Sequence, residues 1–340
     1  MRAWEVAEGF GRDKLRLVER PEPAPAAGEL LLRLRAASLN YRDLLMVEGR
    51  YNPKQPLPLV PCSDAVGEVI ALGAGVRGFA LGDRVCPIFA PRWLAGEPDR
   101  ERLRTTLGGP LDGTLRQTMT IAAESVVRPP AHLSDDEAAA LPCAAVTAWS
   151  ALVEQGRLRA GETVLVLGTG GVALFALQIA LLHGARVLVT SSSDAKLERV
   201  RAMGAWETIN YSREKAWGKR VRELSGDGVD HVVEVGGAGT LPESLRAVRM
   251  GGTVHLIGVL AGGEASLLLA PIFMQQVRVQ GVLVGPKSSF EALDRALALH
   301  ADRPETRPVV DRTFAFEDAP AAFDHMAAGA HFGKICVAIA

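Results

Sequence analysis

A glycine-rich turn near the middle of the chain has the spacing of a phosphate-binding loop. Residues 168–173 read Gly-Thr-Gly-Gly-Val-Ala, which matches the pattern G-x-G-x-x-G/A. Gly168 permits a tight turn, and Gly170 lets the backbone approach a pyrophosphate. Gly171 and Val172 open the next helix, whose free N–H groups can bind phosphate oxygens. Because the motif lies between a predicted strand and a predicted helix, it favours a dinucleotide-binding site over an ordinary glycine turn.

The residues about 20 positions further on decide which dinucleotide is bound. An acidic side chain there would hold the ribose 2′-hydroxyl of NAD, but residues 190–196 read Thr-Ser-Ser-Ser-Asp-Ala-Lys. Hydroxyls and a lysine can instead hold a 2′-phosphate. The candidate phosphate ligands are Ser191, Ser192, Lys196 and Tyr211. The alternative is that Ser193 or Asp194 only caps the next helix and that the lysine is solvated. We predict NADPH, with NADH possible.

Strands alternate with helices from residue 163 onward, which predicts a mostly parallel, doubly wound sheet of the Rossmann type. The predicted elements are strands Thr163–Leu167, Arg186–Thr190, Val229–Val235, Thr253–Val259 and Val277–Val284 and helices Val172–Leu182 and Ala195–Met203. The uncharged run Val164–Leu182 has the length of a membrane span, but its glycine turn would expose polar backbone to lipid. A buried strand, turn and helix is the better interpretation.

Upstream, a capping-box pattern over residues 134–137 opens a helix that Pro142 interrupts, and a second helix is predicted over Ala144–Gln155. The first 120 residues differ, because short strand-like runs are separated by Gly and Pro, which favours an antiparallel, barrel-like domain. Its clearest strands are Glu29–Ala37, Asp64–Leu72 and Asp83–Phe89. The segment Ala90–Asp112 is predicted to be a loop with a helical turn.

The tail, Phe290–Ala340, contains two predicted helices and a last apolar strand, Lys334–Ala338. Since no position in the parallel sheet is evident for that strand, we expect the tail to return to the first domain. The predicted domains are therefore 1–123 with 286–340, and 124–285.

Composition narrows the class of protein. The 340 residues carry a formal net charge of -1, which does not favour a nucleic-acid or anionic-membrane partner. The first residues lack the basic and apolar regions of a signal peptide. Four scattered cysteines, Cys62, Cys86, Cys143 and Cys336, without a CxxC pair, suit reduced thiols. We expect a cytoplasmic protein with a small-molecule substrate.

Motifs along almost the whole chain resemble the medium-chain dehydrogenase/reductase family. They are the Asn40–Asp43 turn, PLVPCSDAVGEV at 58–69, GDRV at 82–85, LPCAAVTAW at 141–149, the glycine turn, and GKICV at 333–337. The resemblance implies a GroES-like catalytic domain of the β-barrel type, a Rossmann domain and a cleft between them. It also implies a homodimer joined through edge strands, here Val277–Val284.

The zinc-dependent branch of that family holds its catalytic metal through a cysteine, a Gly-His-Glu motif and a second cysteine. The corresponding positions here are Asn40, Cys62-Ser63-Asp64 and Cys143. A catalytic zinc site needs three protein ligands, and one thiol is not enough. The cysteine cluster of the structural zinc is also missing, since residues 87–141 contain no cysteine. We therefore predict no metal.

Without the zinc ligands, the chain is similar to the zinc-independent branch of the family, which includes quinone oxidoreductases and enone reductases. The branch's N-x-x-D turn matches Asn40 and Asp43, and Tyr51 matches the Gly-x-Tyr position of enoyl-thioester reductases. The expected roles are oxygen or ribose binding for Asn40, orientation for Asp43 and proton donation or oxyanion binding for Tyr51. Packing roles for Asn40 and Tyr51, and a surface pair of Asp43 with Arg42, are the alternatives. Thr147 is expected to touch the nicotinamide. Further expected cofactor contacts are Gly236, Gly258, Val259, Val284 and Lys334.

Without a metal, charge that develops on oxygen must be met by hydrogen-bond donors. Quinones and α,β-unsaturated carbonyls spread that charge over a conjugated system and need less electrophilic help. We therefore predict an oxidoreductase that transfers hydride from NADPH to such a substrate. The alternatives are an NAD(P)-dependent alcohol or aldehyde dehydrogenase and a non-catalytic NADPH-binding structural or regulatory protein.

Overall fold

The chain divides into two units in its computed structural model, which describes residues 1–264 and 266–339. The units are Met1–Val146 with Gly285–Ala340, and Thr147–Val284. The predicted domain limits at 123/124 and 285/286 stay a prediction. The structure assigns residues 124–146 to the first unit, because the helix Asp135–Ala139 packs against its strands. Ala265 and Ala340, which fall within the predicted domains, lie outside the described residues.

The strands are β1 Arg2–Val6, β2 Leu15–Glu19, β3 Glu29–Leu39, β4 Asp64–Leu72, β5 Arg84–Pro87, β6 Thr118–Ala122, β7 Val126–Val127, β8 Thr163–Leu167, β9 Arg186–Ser191, β10 Glu207–Asn210, β11 Val229–Glu234, β12 Val248–Leu256, β13 Arg278–Gly281, β14 Val310–Ala315 and β15 Lys334–Ala338. The α-helices are α1 Tyr41–Val47, α2 Arg100–Leu103, α3 Asp135–Ala139, α4 Val146–Trp149, α5 Gly171–Leu182, α6 Asp194–Ala202, α7 Trp217–Ser225, α8 Leu241–Ala247, α9 Ala270–Met274, α10 Lys287–Leu299 and α11 Ala319–Ala327. Wider π-helical turns over Leu141–Ala145 and Ser150–Gln155 flank α4.

The first unit is built on β3, the longest strand. Leu32 and Leu34 are fully buried, while Arg33 and Arg35, which alternate with them, are exposed, as a half-buried strand requires. The sheet order is β14-β15-β3-β4-β5-β7, with β6 also paired to β3 and β1 paired to β2. β15 is antiparallel to β3, so the C-terminal tail completes this unit. The polar strand β14 was not predicted.

The second unit contains the predicted doubly wound sheet, with parallel strands in the order β10-β9-β8-β11-β12-β13. The run from Val164 to Leu182 forms β8, a glycine turn and α5, which is buried over Ala173–Ala180. Its apolar character therefore reflects the protein core. Among the described residues, no helix combines the length and apolar character that crossing a membrane requires.

Two strand predictions in this unit need correction. The last strand, predicted over Val277–Val284, spans only Arg278–Gly281, and Val284 has φ +49°, which is incompatible with an extended ladder. The preceding strand begins at Val248 rather than Thr253, and a register shift leaves residues 249–252 unpaired with the neighbouring strand β11. The short, polar strand β10 was missed.

Candidate functional site

The glycine turn lies where the order of the parallel strands reverses, between β8 and β11. Gly168 follows β8 with φ +79°, a conformation that L-residues rarely adopt, and its N–H donates to the Thr190 carbonyl at 2.8 Å. Gly170 is extended and precedes the first residue of α5. A methyl group at Gly168 would meet no atom within 4 Å, so this face of the turn is open. The arrangement fits a pyrophosphate at the N-terminus of α5.

The three serines in the run at the end of β9 differ in their contacts and exposure. Ser193 caps α6, because its hydroxyl accepts a hydrogen bond from the Lys196 N–H at 3.4 Å. The Ser191 side chain is buried and its hydroxyl accepts from the Ser193 N–H at 3.3 Å. Ser192 is exposed. Capping therefore occupies Ser193 and leaves Ser192 at the surface of the candidate phosphate site.

Asp194 is the only acidic residue in this run, and the structure turns it toward the end of β10. Its carboxylate accepts hydrogen bonds from Asn210 Nδ2 at 2.7 Å and from the Arg213 guanidinium. Tyr211, 40% exposed, is fixed beside β9 by a bond from its N–H to the Ser191 carbonyl at 3.1 Å. Arg213 was not predicted, because it lies after β10, a short polar strand that carries no clear sequence pattern.

The other predicted cofactor residues follow β11 and β12 or lie at the limits of the unit. Gly236 donates its N–H to buried Glu234 at 2.7 Å, and Gly258 is packed so closely that a methyl group would lie 2.5 Å from the Val235 carbonyl oxygen. Val259 is half exposed. Thr147 and Val284, the first and last residues of the second unit, are buried.

In the first unit, the predicted catalytic asparagine belongs to a buried polar network. Asn40 lies between β3 and α1, and its N–H donates to Asp43 Oδ2 at 2.8 Å. Its side-chain oxygen accepts from Lys334 Nζ at 2.6 Å. Lys334 is 2% exposed; Nζ also donates to the Leu39 carbonyl at 2.8 Å and lies 3.6 Å from Asp64 Oδ2. Lys334 was predicted as a cofactor contact, but the structure shows its ammonium bound within this unit.

The two carboxyl groups of this network differ from surface acids. Burial raises the pKa of Asp43 to about 6, against the opposing effect of Arg42. Burial also raises the pKa of Asp64. The charge of Lys334 and a hydrogen bond from the Ser63 hydroxyl at 2.7 Å oppose this rise. Since Asp43 is fully buried, its pairing with Arg42, at 3.8 Å, is not a surface ion pair.

Tyr51 stacks on Arg42, with the guanidinium carbon 5.1 Å from the ring centroid. Arg42 is held in turn by bonds to the Leu107 carbonyl at 3.0 Å and the Thr106 hydroxyl at 3.3 Å. The Tyr51 N–H donates to the Leu45 carbonyl at 3.1 Å, and the side chain is 47% exposed. The ring is therefore fixed while the residue stays accessible to solvent.

The residues at the zinc positions do not fit a catalytic zinc. The Lys334 ammonium already occupies the Asn40 side-chain oxygen, and the Ser63 hydroxyl donates to Asp64. Burial raises the pKa of the Cys143 thiol, which opposes the thiolate that zinc requires. Among the residues that the structure describes, no three His, Cys, Asp or Glu side chains are grouped to hold a metal ion.

Comparisons with known families agree with this architecture. Residues 26–131 match the alcohol dehydrogenase GroES-like domain, and residues 171–299 match the zinc-binding dehydrogenase family. A zinc-type alcohol dehydrogenase-like protein of Schizosaccharomyces pombe is 40% identical, over 92% of this chain and 91% of the relative. An acryloyl-coenzyme A reductase of Metallosphaera sedula is 31% identical, over 92% and 93%. A quinone oxidoreductase of Rattus norvegicus is 29% identical, over 95% and 93%.

Solved structures of similar proteins superpose on the whole chain. An NAD-dependent alcohol dehydrogenase superposes with a TM-score of 0.91 at 33% identity and covers 100% of both chains. A mycobacterial protein complexed with NADPH superposes with a TM-score of 0.83 at 27% identity, over 99% of both chains. The chain belongs to the medium-chain dehydrogenase/reductase family. It is an NAD(P)-dependent oxidoreductase with a GroES-like and a Rossmann domain.

Proposed function

We propose that this oxidoreductase is zinc-free and uses NADPH to reduce the conjugated double bond of an α,β-unsaturated carbonyl compound or a quinone. The observation that carries the proposal is the contact of Lys334 Nζ with Asn40 Oδ1 at 2.6 Å. By the motif resemblance Asn40 corresponds to the first zinc-ligand position, and the contact supports a protein cation bound to its amide instead of a metal. The acryloyl-coenzyme A reductase and quinone oxidoreductase relatives support this class of substrate.

The first unit supplies the polarising groups in this proposal. An amide N–H of Asn40 donates to the substrate oxygen as negative charge develops there, which is how donors replace a Lewis acid. Conjugation lowers the demand on that donor, because the charge is shared over several atoms. Tyr51, fixed over Arg42, donates the proton that the reduced substrate needs. Asp43 orients Asn40 through the bond to its N–H.

The second unit supplies the cofactor site. NADPH, when bound, provides the hydride for the reaction. We assign its pyrophosphate to the turn formed by Gly168, Gly170, Gly171 and Val172. We assign its 2′-phosphate to Ser191, Ser192, Lys196 and Tyr211, and we add Arg213 to the predicted group. The remaining proposed contacts are Thr147, Gly236, Gly258, Val259 and Val284.

An alcohol dehydrogenase is the second candidate, since a relative and a solved structure of similar sequence carry that name. Oxidising a simple alcohol requires a base and strong stabilisation of an alkoxide. The acids beside Asn40, Asp43 and Asp64, are fully buried, and Lys334 and Arg42 lower their pKa values against the effect of burial. Conjugated substrates therefore suit this network better.

The deciding experiment compares turnover of the chelator-treated protein with crotonyl-coenzyme A, a quinone and a panel of alcohols. We expect NADPH oxidation with a conjugated substrate and little NADP⁺ reduction with alcohols. Activity that chelation abolishes and zinc restores, or turnover of alcohols only, would overturn the proposal.

We also propose a cytoplasmic homodimer. All four cysteines are free thiols, which supports a reducing compartment. β13 ends the parallel sheet, and large apolar side chains in the segment that precedes it in the chain are exposed, namely Leu268, Leu269, Phe273 and Met274. Such a patch beside an edge strand is typical of an interface.

A further inference from the structure

The last strand of the chain brings a buried lysine to the end of β3. β15 pairs with β3 in antiparallel register, with Ile335 opposite Leu39. Lys334, the first residue of β15, therefore lies beside Asn40, although 294 positions separate them in sequence. Burying a lysine is costly unless its charge is compensated. Here Nζ lies within reach of three oxygens, those of Leu39, Asn40 and Asp64.

That contact decides which way the Asn40 amide points. An ammonium group can only donate hydrogen bonds, whereas a primary amide has an acceptor end and a donor end. The acceptor end must therefore face Lys334, and the –NH₂ end must face away from it. That end lies 3.5 Å from the Ser63 hydroxyl, a long contact, and its hydrogen bond to the Asp64 carboxylate uses one of its two hydrogens. Ser63 in turn donates to Asp64 at 2.7 Å.

We propose that Lys334 is a positioning residue, which holds the Asn40 amide with its –NH₂ group directed at the substrate oxygen. This inference rests on the proposed function, because it assigns Asn40 the donor role in that reaction. It replaces the expected cofactor contact of Lys334. The charge on Lys334 also strengthens the donor, since the cation withdraws electron density from the amide oxygen to which it is bonded.

A simple replacement of Lys334 would leave the Asp64 carboxylate buried without its cation and could unfold the unit. The test therefore uses Asp64→Asn as its reference, in which the Lys334 ammonium loses its charge partner but keeps the Leu39 and Asn40 oxygens as acceptors. The test variant is Lys334→Met combined with Asp64→Asn, which keeps the charge balanced and removes only the ammonium. Lys334→Arg in the same Asp64→Asn background, which retains a cationic donor, is the rescue variant. Thermal melting confirms that each variant is folded.

We expect kcat with the conjugated substrate to fall by about 10- to 100-fold from the reference to the double variant, somewhat less than the loss of a whole oxyanion donor. The Kd for NADPH should not change. In an Asn40→Ala background the same replacement should have no further effect, since the group that Lys334 positions is gone. An equal fall in both backgrounds, or weaker NADPH binding with normal kcat, would overturn the inference.

A second readout does not depend on turnover. In the NADP⁺-bound protein, the NMR signals of the Asn40 side-chain amide are identified by their loss in Asn40→Ala. They should shift between the reference and the double variant, and return in Lys334→Arg. Unshifted signals would show that Lys334 does not orient the amide. If the wild-type protein reduces neither an enone nor a quinone, the proposed function fails, and this measurement still decides the role of Lys334.

Discussion

Tyr51 lies in an exposed loop, yet its ring is stacked on Arg42. The Arg42 guanidinium is held by hydrogen bonds to the Leu107 carbonyl and the Thr106 hydroxyl. Tyr51→Phe keeps this stacking and removes only the hydroxyl, so the melting temperature should barely change. If the phenol donates to the substrate, kcat should fall by roughly 10²–10³-fold, the usual cost of one such donor. Steady-state kinetics with one quinone and one enone measure the effect.

Tyr41→Phe is the matched control, because it removes a neighbouring phenol from the start of α1. Near-normal kcat with a shifted KM in Tyr51→Phe would identify a packing role instead. A fall confined to the enone would assign the tyrosine to protonation at carbon.

Cofactor preference is also decided by single residues. Ser191→Asp should reverse or erase the preference for NADPH, because a carboxylate repels the 2′-phosphate and binds the 2′-hydroxyl. Arg213→Gln should weaken the binding of NADPH but not that of NADH, since NADH carries no 2′-phosphate. Binding titrations with both dinucleotides measure these changes, and each tenfold difference in Kd corresponds to about 1.4 kcal/mol. Equal affinities in the unaltered protein would show that the serine run serves only to cap α6.

Among the elements, α10 carries an acid on its apolar face. Asp294 lies on the same face as Phe290, Leu293 and Leu297, and neither carboxyl oxygen has a hydrogen-bond partner within the described chain. Burial, and then the nearby charge of Glu291, raise the pKa of Asp294 to about 8. Between the unfolded pKa near 4 and the folded value near 8, the folded protein keeps a proton that the unfolded chain loses. Stability from this group therefore falls as the pH rises through that window.

Asp294→Asn removes this proton uptake and should stabilise the protein relative to wild type at pH 8, by about a few kcal/mol. The gain should shrink toward pH 4. Denaturant unfolding at several pH values measures it, with Asp302→Asn, at an exposed carboxyl, as the charge-matched control. A gain that does not vary with pH would mean that Asp294 is ionised in the folded protein.

At the scale of the whole molecule, the edge strand β13 governs the proposed homodimer. The Val282 N–H donates to β12, so alternation along the strand directs the Val279 N–H to the open side. Val279→Pro removes this donor and should convert the dimer to a monomer in sedimentation experiments. Val279→Ala keeps the donor and should remain dimeric. A wild-type monomer, or a dimer that survives both substitutions, would place the interface elsewhere or remove it.

The sequence was sufficient wherever neighbouring residues settle the structure. The strands Asp64–Leu72, Thr163–Leu167 and Lys334–Ala338 have the predicted bounds, because apolar runs flanked by turn residues specify them locally. Ser134 and Glu137 form the predicted capping box. The alternation of strands and helices predicted the parallel sheet, and local motifs predicted the family, both of which the comparisons confirm.

Contacts between distant residues were decided only by the tertiary structure. Pairing of β15 with β3 places Lys334 on Asn40, and the end of β10 brings Arg213 to Asp194. Burial of Asp294 depends on how α10 packs against β7. No local pattern encodes such contacts, because they follow from strand pairing and helix packing across the chain. Sequence motifs predict the residues of the site, but the contact of Lys334 with the Asn40 amide follows from the fold.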